Sequence, residues 1–484
     1  MTTLTFAVRR HDPELIGPAA PTPRETKRLS DIDHQGTRMH MPMAFFYRGG
    51  HRGSEDPAAV IRRALGEALV PYYPLAGRIR DVAGKLVVDC TGEGVLFVEA
   101  DADVRLAELE AETGGVKEPL PCMDELLFDV EGSSGFFNCP VMLIQVTRLL
   151  CGGFVFALRI DHALCDAAGL AQFISAVAEL ARGLPSPTIA PAWSRELLDA
   201  RSPPRPAVPN PAYDPVAVAP TPEPPSGDGG SDMVSRAFTL TRADIAAIKQ
   251  ALPTHLREKA TTFEALAAAI WRARVVALDP PAGDDMMRLG FTVSVRRFPE
   301  LGLPAGYYGN AIVFVMATAT AGALRDGTLG DAVELVREAK ALVTAEYVRS
   351  VANLLVLRRR PSVSPAAARG VLPRRGLPPL ADLLIVSDAR HAGFHTVDFG
   401  WGGPVYGGTV HTHAHQPISA VFSAVKNGDG EDVMVVVPLT LTRPAMDRFA
   451  SEIEMLVKAS RVAPASRSNL LLDMAMLMPR VTSI

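Results

Sequence analysis

A histidine and an aspartate four positions apart, His162 and Asp166, are the strongest candidates for chemistry in this chain. They follow the apolar run at 154–158 and precede a helical run of small residues at 167–182. A side chain at such a strand-to-helix junction is held by rigid elements while it faces a cavity. Because imidazole titrates near neutrality, His162 can accept a proton from an alcohol or amine that attacks a carbonyl carbon. The structural alternative is that Asp166 caps the helix and His162 hydrogen-bonds within a core.

A second motif lies far downstream, reads Asp-Phe-Gly-Trp-Gly, and contains Asp398, Gly400, Trp401 and Gly402. Its glycines allow tight backbone geometry, and the indole of Trp401 offers a large packing surface. The residues alone leave two interpretations open, a structural turn beside the site or direct chemistry at Trp401. The order of the two motifs, rather than either one alone, carries the functional signal.

Taken together, the two motifs resemble the plant BAHD superfamily of acyl-CoA-dependent acyltransferases. Further similarity to this superfamily lies in four short segments, at 71–78, 89–94, 303–310 and 386–388. The opening of the chain is most similar to the benzyl alcohol O-benzoyltransferase group within the superfamily. The resemblance covers most of the chain and implies transfer of an aromatic, benzoyl-like, or short acyl group from CoA to a small alcohol.

The resemblance implies separate roles for three residues near the first motif. His162 is expected to act as the general base that removes the proton of the acceptor. Asp166 is expected to turn away from the cavity and pair with Arg296, which fixes the loop that carries the histidine. Orientation of the imidazole by Asp166, as in a catalytic dyad, is the alternative.

For the downstream motif, the resemblance implies a structural role beside the CoA channel. Residues around Ser387 and Asp388 and near Asn310 are implied to line that channel. The sequence has no Gly-rich phosphate loop that ends in Gly-Lys. We therefore expect acyl-CoA as a co-substrate and no tightly bound cofactor.

Composition argues against several other classes of protein. The formal net charge of −4 is unlike that of a nucleic-acid-binding surface. The longest aliphatic runs, such as 433–437, are far too short to span a membrane, and the amino terminus lacks the apolar core of a secretory signal. Five irregularly spaced cysteines predict neither a disulfide framework nor a metal finger. We expect a cytoplasmic enzyme, and the resemblance implies that it is a monomer.

Length and segment pattern predict a two-domain α/β protein. The 484 residues exceed what one core accommodates, so two domains of about 200 residues each are expected. The stretch at 184–232 is too rich in proline for a helix or a central strand. We therefore predict an N-terminal domain at 1–183, a crossover linker at 184–232, a C-terminal domain at 233–462 and a tail at 463–484. The resemblance implies chloramphenicol-acetyltransferase-like domains with mixed sheets and a central solvent channel.

Two features depart from the superfamily pattern. Ala167 follows the motif aspartate, where relatives usually carry glycine. His411, His413 and His415 replace a glycine-rich loop and would share one face of a strand. Neighbours on that face are ~7 Å apart, too far to share a zinc ion without a bend. We predict no metal site there and an altered wall of the acyl pocket.

Two alternatives to alcohol acylation remain open at this point. An amine acceptor would use the same base, so an N-acyltransferase of the same family is the nearest one. The other is a catalytically silent relative that binds CoA or a partner protein, which Ala167 and the altered segment at 411–415 favour. Intact His162 and the unbroken motif at 398–402 favour an enzyme.

Overall fold

The fold is described from a computed structural model that places residues 4–35, 40–50, 55–116, 120, 122–129, 136–213, 233–358, 382–410, 419–426 and 433–462. In these residues the strands are, in chain order, β1 (Val8–Arg10), β2 (Glu14–Ile16), β3 (Thr26–Arg28), β4 (His40–Tyr47), β5 (Arg78–Val82), β6 (Lys85–Asp89), β7 (Val95–Ala102), β8 (Met142–Leu149), β9 (Phe154–Asp161), β10 (Met233–Leu240), β11 (Met286–Ser294), β12 (Ile312–Thr320), β13 (Leu383–Asp388), β14 (Tyr406–Thr409), β15 (Ser419–Lys426) and β16 (Val433–Thr442).

The α-helices of the same residues are α1 (Pro57–Ala68), α2 (Leu106–Thr113), α3 (Met123–Leu126), α4 (Ala167–Ala181), α5 (Arg242–Gln250), α6 (Thr254–Arg257), α7 (Thr262–Leu278), α8 (Ala321–Asp326), α9 (Leu329–Ala341), α10 (Ala345–Leu357) and α11 (Arg443–Val462). Within the described part of the chain, no helix is long and apolar enough to cross a membrane.

The first sheet has seven strands in the order β1–β7–β8–β9–β4–β14, with β2 also paired to β7. It is mixed, because β7 and β8 run parallel while β9 runs antiparallel to both of its neighbours. β8 and β9 are buried along almost their whole length, as expected for central strands rich in aliphatic and aromatic residues. The buried residues of α1 and α4 join these strands in one core.

The second large sheet has six strands in the order β10–β16–β15–β13–β11–β12. It is also mixed, since β13 runs parallel to both β11 and β15. α7 is buried on nearly all sides and forms the centre of a second core with α9 and α11. The predicted α/β fold with mixed sheets in two domains is therefore confirmed, while the solvent channel between them stays a prediction.

The second half of the chain contributes one strand to the first sheet. β14 pairs antiparallel with β4, although it follows strands of the other sheet in sequence. Just before it, Phe399 packs on Phe156 and Trp401 packs on Phe154, with ring centroids 5.1 and 5.3 Å apart. Part of the range 233–462 therefore belongs to the core of the first domain.

Candidate active site

The histidine turn, residues 162–165, connects β9 to α4. Its shape depends on local hydrogen bonds: the N–H of Ala163 donates to Oδ1 of Asp161 at 2.9 Å, and the N–H of Leu164 donates to the carbonyl of Asp161 at 3.1 Å. An aspartate that accepts from the backbone two residues further on stabilises this type of turn. The last residue of β9 thus sets the direction in which the chain leaves the sheet.

His162 is half-buried, and its Nδ1 atom is buried without a hydrogen-bond partner among the described residues. In a triad of the serine-protease type, a carboxylate on Nδ1 orients the imidazole. Here such a carboxylate does not contact the ring within the described residues. The orientation of the ring therefore depends on packing and on the backbone of the histidine turn.

The carboxylate of Asp166 is buried and accepts hydrogen bonds from four N–H donors. It is the N-cap of α4 and accepts from the N–H of Gly169 at 3.0 Å, and the guanidinium of Arg296 donates to both carboxylate oxygens at 2.7 Å. The N–H of Ala311 adds a bond at 3.0 Å. Burial by itself would raise the pKa of Asp166, but the charge of Arg296 and these hydrogen bonds together hold the pKa below its ordinary value. The carboxylate is thus ionised, and it links α4 to the segment between β11 and β12.

At Gly169, α4 closely approaches the backbone of the second half of the chain. A Cβ at this position would lie 2.0 Å from the carbonyl oxygen of Tyr308. Gly169→Ala is therefore expected to lower the free energy of unfolding by about 1–3 kcal/mol through overpacking, which thermal unfolding would measure. The control is Gly66→Ala in α1, where the nearest atom would be 3.4 Å away and alanine favours the helix. Equal melting temperatures for the two variants would contradict the close approach.

The Asp398 motif forms a turn that is closed by its own aspartate. Oδ1 of Asp398 accepts from the N–H of Gly400 at 2.7 Å and from the N–H of Gly402 at 2.8 Å. Both glycines have positive φ angles, 107° and 86°, which strain any L side chain. Trp401 is buried and anchors the turn on the first sheet. These contacts favour the structural interpretation of the motif.

Ser387 and Asp388 form the last two positions of β13 and are half-buried. The carboxylate of Asp388 accepts from Nε of Arg390 at 2.8 Å and from its terminal nitrogen at 2.6 Å. This pair fixes the backbone where β13 ends. Both residues stay candidates for lining the CoA channel.

Asn310, a predicted residue of the cofactor channel, contacts the histidine turn. Its side chain is buried, and Nδ2 donates to Oδ1 of Asp33 at 2.9 Å and to the carbonyl of His162 at 2.9 Å. Its observed contacts are thus with the histidine turn. A place for Asn310 in the CoA channel stays a prediction.

Sequence reasoning missed a second buried ion pair, formed by Asp33 and Arg195. The two side chains are 0% and 2% exposed and their atoms approach to 2.9 Å. Charged residues are almost never fully buried without a partner. Because these partners lie 162 positions apart, no local pattern marks either of them as buried.

A cleft of about 430 Å³ lies beside the site, between α4 and the segment at 303–307. Ala168 and Gln172 line the wall formed by α4, and Arg296 lies on the other side. The side chain of Arg296 is 22% exposed and reaches the cleft while it binds Asp166. The cleft therefore borders the ion pair that supports the histidine turn.

His411, His413 and His415, where we predict no metal site, lie outside the described residues. Within the described ranges, no cluster of three or more histidine, cysteine or acidic side chains could hold a metal ion. The predicted absence of a metal at the histidine segment stays a prediction.

Residues 6–456 match the family described as the Transferase family, so the chain belongs to the BAHD transferases and is an acyltransferase. It is 44% identical over 476 residues to benzyl alcohol O-benzoyltransferase of Nicotiana tabacum, an alignment that covers 96% of each chain. It is 43% identical over 468 residues to (Z)-3-hexen-1-ol acetyltransferase of Arabidopsis thaliana, which covers 95% of this chain and 97% of the relative.

Solved structures with the same fold include vinorine synthase, with a TM-score of 0.66 and 20% identity over 93% of this chain and 98% of that one. F. graminearum TRI101, complexed with coenzyme A and T-2 mycotoxin, gives a TM-score of 0.67 and 17% identity over 88% of this chain and 97% of that one. At these identities the similarity concerns the fold alone. It supports the two-domain architecture described above.

Proposed function

We propose that this enzyme transfers an acyl group from acyl-CoA to the hydroxyl of a small alcohol, with His162 as the general base. The observation that carries the proposal is the placement of His162, a half-buried imidazole in a turn whose backbone is held by distant segments of the chain. The relatives support the substrate class, since the tobacco and Arabidopsis enzymes are named for acylation of benzyl alcohol and (Z)-3-hexen-1-ol.

The reaction needs one base and no covalent intermediate on the enzyme, because a thioester is already an activated carbonyl. His162 takes the proton of the acceptor hydroxyl while the oxygen attacks the thioester carbon. The tetrahedral intermediate then collapses, the carbon–sulfur bond breaks, and the imidazolium returns the proton to the CoA thiolate. The products are one ester and one free CoA, and His162 is neutral again.

Cys165, which lies in the same turn, does not suit a covalent alternative. Its thiol is buried, and burial raises the pKa of the thiol far above its usual range, with the charge of Asp166 adding to the effect. A nucleophilic cysteine needs a lowered pKa and access to the substrate. Direct transfer within a complex of both substrates is therefore the mechanism that we propose.

The proposed donor is benzoyl-CoA or another aromatic or short acyl-CoA, and the proposed acceptor is benzyl alcohol or another small primary alcohol. The names of two relatives, which refer to benzoyl and acetyl transfer, support this choice. We further propose that Ser387 and Asp388 line the CoA channel, in line with their half-buried position at the end of β13. An amine acceptor would require the same proton transfer and differs only in its product.

The test is an assay of the purified enzyme with benzoyl-CoA and acetyl-CoA against benzyl alcohol, (Z)-3-hexen-1-ol and benzylamine. Free CoA thiol and the acylated product are measured together, so that transfer is distinguished from hydrolysis. Alcohol-dependent thiol release with a matching ester is the expected result. Amide formation without any ester would favour the N-acyltransferase, and the absence of thiol release above hydrolysis would favour a silent relative.

A further inference from the structure

We propose that Asp33, Arg195 and Asn310 form a positioning network that fixes the backbone of the histidine turn and thereby the orientation of His162. The proposal rests on the acyl-transfer function proposed above and adds three residues that act through the turn. All three are almost fully buried, with exposed fractions of 0%, 1% and 1%. Burying such charged and polar groups costs free energy unless they are paired. Arg195 and Asn310 are each paired with Asp33.

Two side chains of the network hold the three consecutive carbonyl groups that begin the turn. Nδ2 of Asn310 donates to the carbonyl of His162 at 2.9 Å and to that of Ala163 at 3.3 Å. A terminal nitrogen of Arg195 donates to the carbonyl of Leu164 at 2.7 Å. The peptide group before His162 is also held, because the N–H of Leu164 donates to the carbonyl of Asp161 at 3.1 Å. Since peptide groups are planar, fixing the groups on both sides of His162 restricts the direction of its Cα–Cβ bond.

Asp33 joins the two donors into one unit. Arg195 donates to both of its carboxylate oxygens at 2.9 Å, and Asn310 donates to Oδ1 through both its side chain and its backbone N–H. The backbone N–H and the hydroxyl of Ser30 donate to Oδ2 of Asp33, at 2.8 and 2.7 Å. Hydrogen bonds to an ionised carboxylate are shorter and stronger than those between neutral groups. Asp33 therefore restricts both residues that hold the turn.

The guanidinium of Arg195 is also enclosed by three aromatic rings. Its central carbon lies 4.5 Å from the ring centroid of Trp193, 5.5 Å from that of Tyr307 and 5.3 Å from that of Tyr308. A guanidinium stacked on aromatic faces gains cation–π energy and loses alternative rotamers. The rings come from the crossover and from the second half of the chain, so the docking of both segments is coupled to the turn.

The need for such a network follows from the ring of His162 itself. Nδ1 has no hydrogen-bond partner within the described ranges, so backbone and packing must orient the imidazole. A misplacement of about 1 Å in a reacting group can cost roughly 100-fold in rate. The network supplies through the main chain the orientation that a carboxylate on Nδ1 supplies in a triad.

The decisive variant is Asn310→Ala, which removes two carbonyl tethers and leaves the ion pair of Asp33 and Arg195 in place. We expect kcat for alcohol acylation to fall about 100-fold, with little change in KM for acyl-CoA. We also expect the share of thioester cleaved by water instead of alcohol to rise. A residue that only stabilises the fold would change neither this ratio nor kcat at temperatures well below melting.

The matched control is Asn353→Ala in α10. Asn353 is also fully buried, accepts from the N–H of Arg201 at 2.8 Å and donates to the carbonyl of Arg205 at 2.8 Å. It ties down backbone of the crossover away from the histidine turn. We expect it to lower the melting temperature as Asn310→Ala does and to keep kcat. Equal losses of kcat in both variants, or native kcat in Asn310→Ala, would overturn the positioning role.

Arg195→Lys tests the other arm of the network. Lysine keeps a positive charge beside Asp33 but lacks the planar fork that reaches Asp33 and the carbonyl of Leu164 together. We expect a folded protein whose kcat falls less than that of Asn310→Ala. If both variants keep the native kcat, the positioning network is refuted and the proposed function stands. If the native enzyme acylates no acceptor, the proposed function is refuted, and the network falls with it.

Discussion

Replacing His162 with alanine is expected to lower kcat for acyl transfer by about 10²- to 10⁴-fold, the usual contribution of a general base. The fold should be retained, because the ring is half-buried and its Nδ1 makes no hydrogen bond with the described residues. KM for acyl-CoA should change little, since proton removal stabilises the transition state and not the bound substrate. The measurement is alcohol-dependent release of CoA thiol, with the melting temperature taken on the same preparation.

The control for this prediction is His255→Ala. His255 lies on α6, its side chain is 66% exposed, and it is far from the histidine turn in sequence. This variant should keep both its kcat and its melting temperature. Native activity in His162→Ala would remove the general-base assignment, and a large drop in melting temperature would make the histidine a structural residue.

Replacing Asp166 with alanine is expected to cost about 3 kcal/mol of the free energy of unfolding, the lower end of the range for a buried ion pair, because Arg296 is partly exposed. Arg296 loses its carboxylate, and the N–H groups of Gly169 and Ala311 lose their acceptor. Activity should fall together with stability, because the pair holds the end of the histidine turn. Thermal unfolding and thiol release on one preparation would measure both effects.

The comparison is with Asp331→Ala. Asp331 lies in the first turn of α9, and its exposed carboxylate accepts from the backbone N–H and the hydroxyl of the N-cap residue Thr328. Its loss should have a much smaller effect, since water replaces the missing acceptor. Loss of turnover in Asp166→Ala with an unchanged melting temperature would contradict the structural role and favour a dyad with His162.

The contribution of Asp166 to the free energy of unfolding should also depend on pH. Because the folded protein holds the pKa of this carboxyl below its ordinary value, the ionised group stabilises the fold at every pH above the value of the unfolded chain. That stabilisation is lost as the pH falls through the lower, folded-state value. The difference in stability between the native chain and Asp166→Asn should therefore shrink only in acid. A constant difference down to strongly acidic pH would contradict the shift.

Much of the histidine turn could be predicted because its determinants are neighbours in the chain. The apolar residues of β9 and the small residues of α4 set the two elements, and Asp161 and Asp166 shape the junction between them. The ion pair with Arg296 follows only from the family resemblance, since the partners lie 130 positions apart. Motif similarity also indicated the class of reaction, which the comparisons confirm as acyl transfer.

The other contacts of the site depend on packing between residues that are distant in the sequence. Asn310 lies 148 positions from His162 and 277 from Asp33, and the three meet because the second half of the chain docks on the first. Likewise, β14 joins the first sheet although its sequence neighbours belong to the second. The spacing of apolar residues and the residue types in turns indicate the secondary structure of each segment, because both depend on neighbours in the chain. Which charges are shielded from water, and which backbone groups they hold, depends on surfaces that exist only after the segments have packed together.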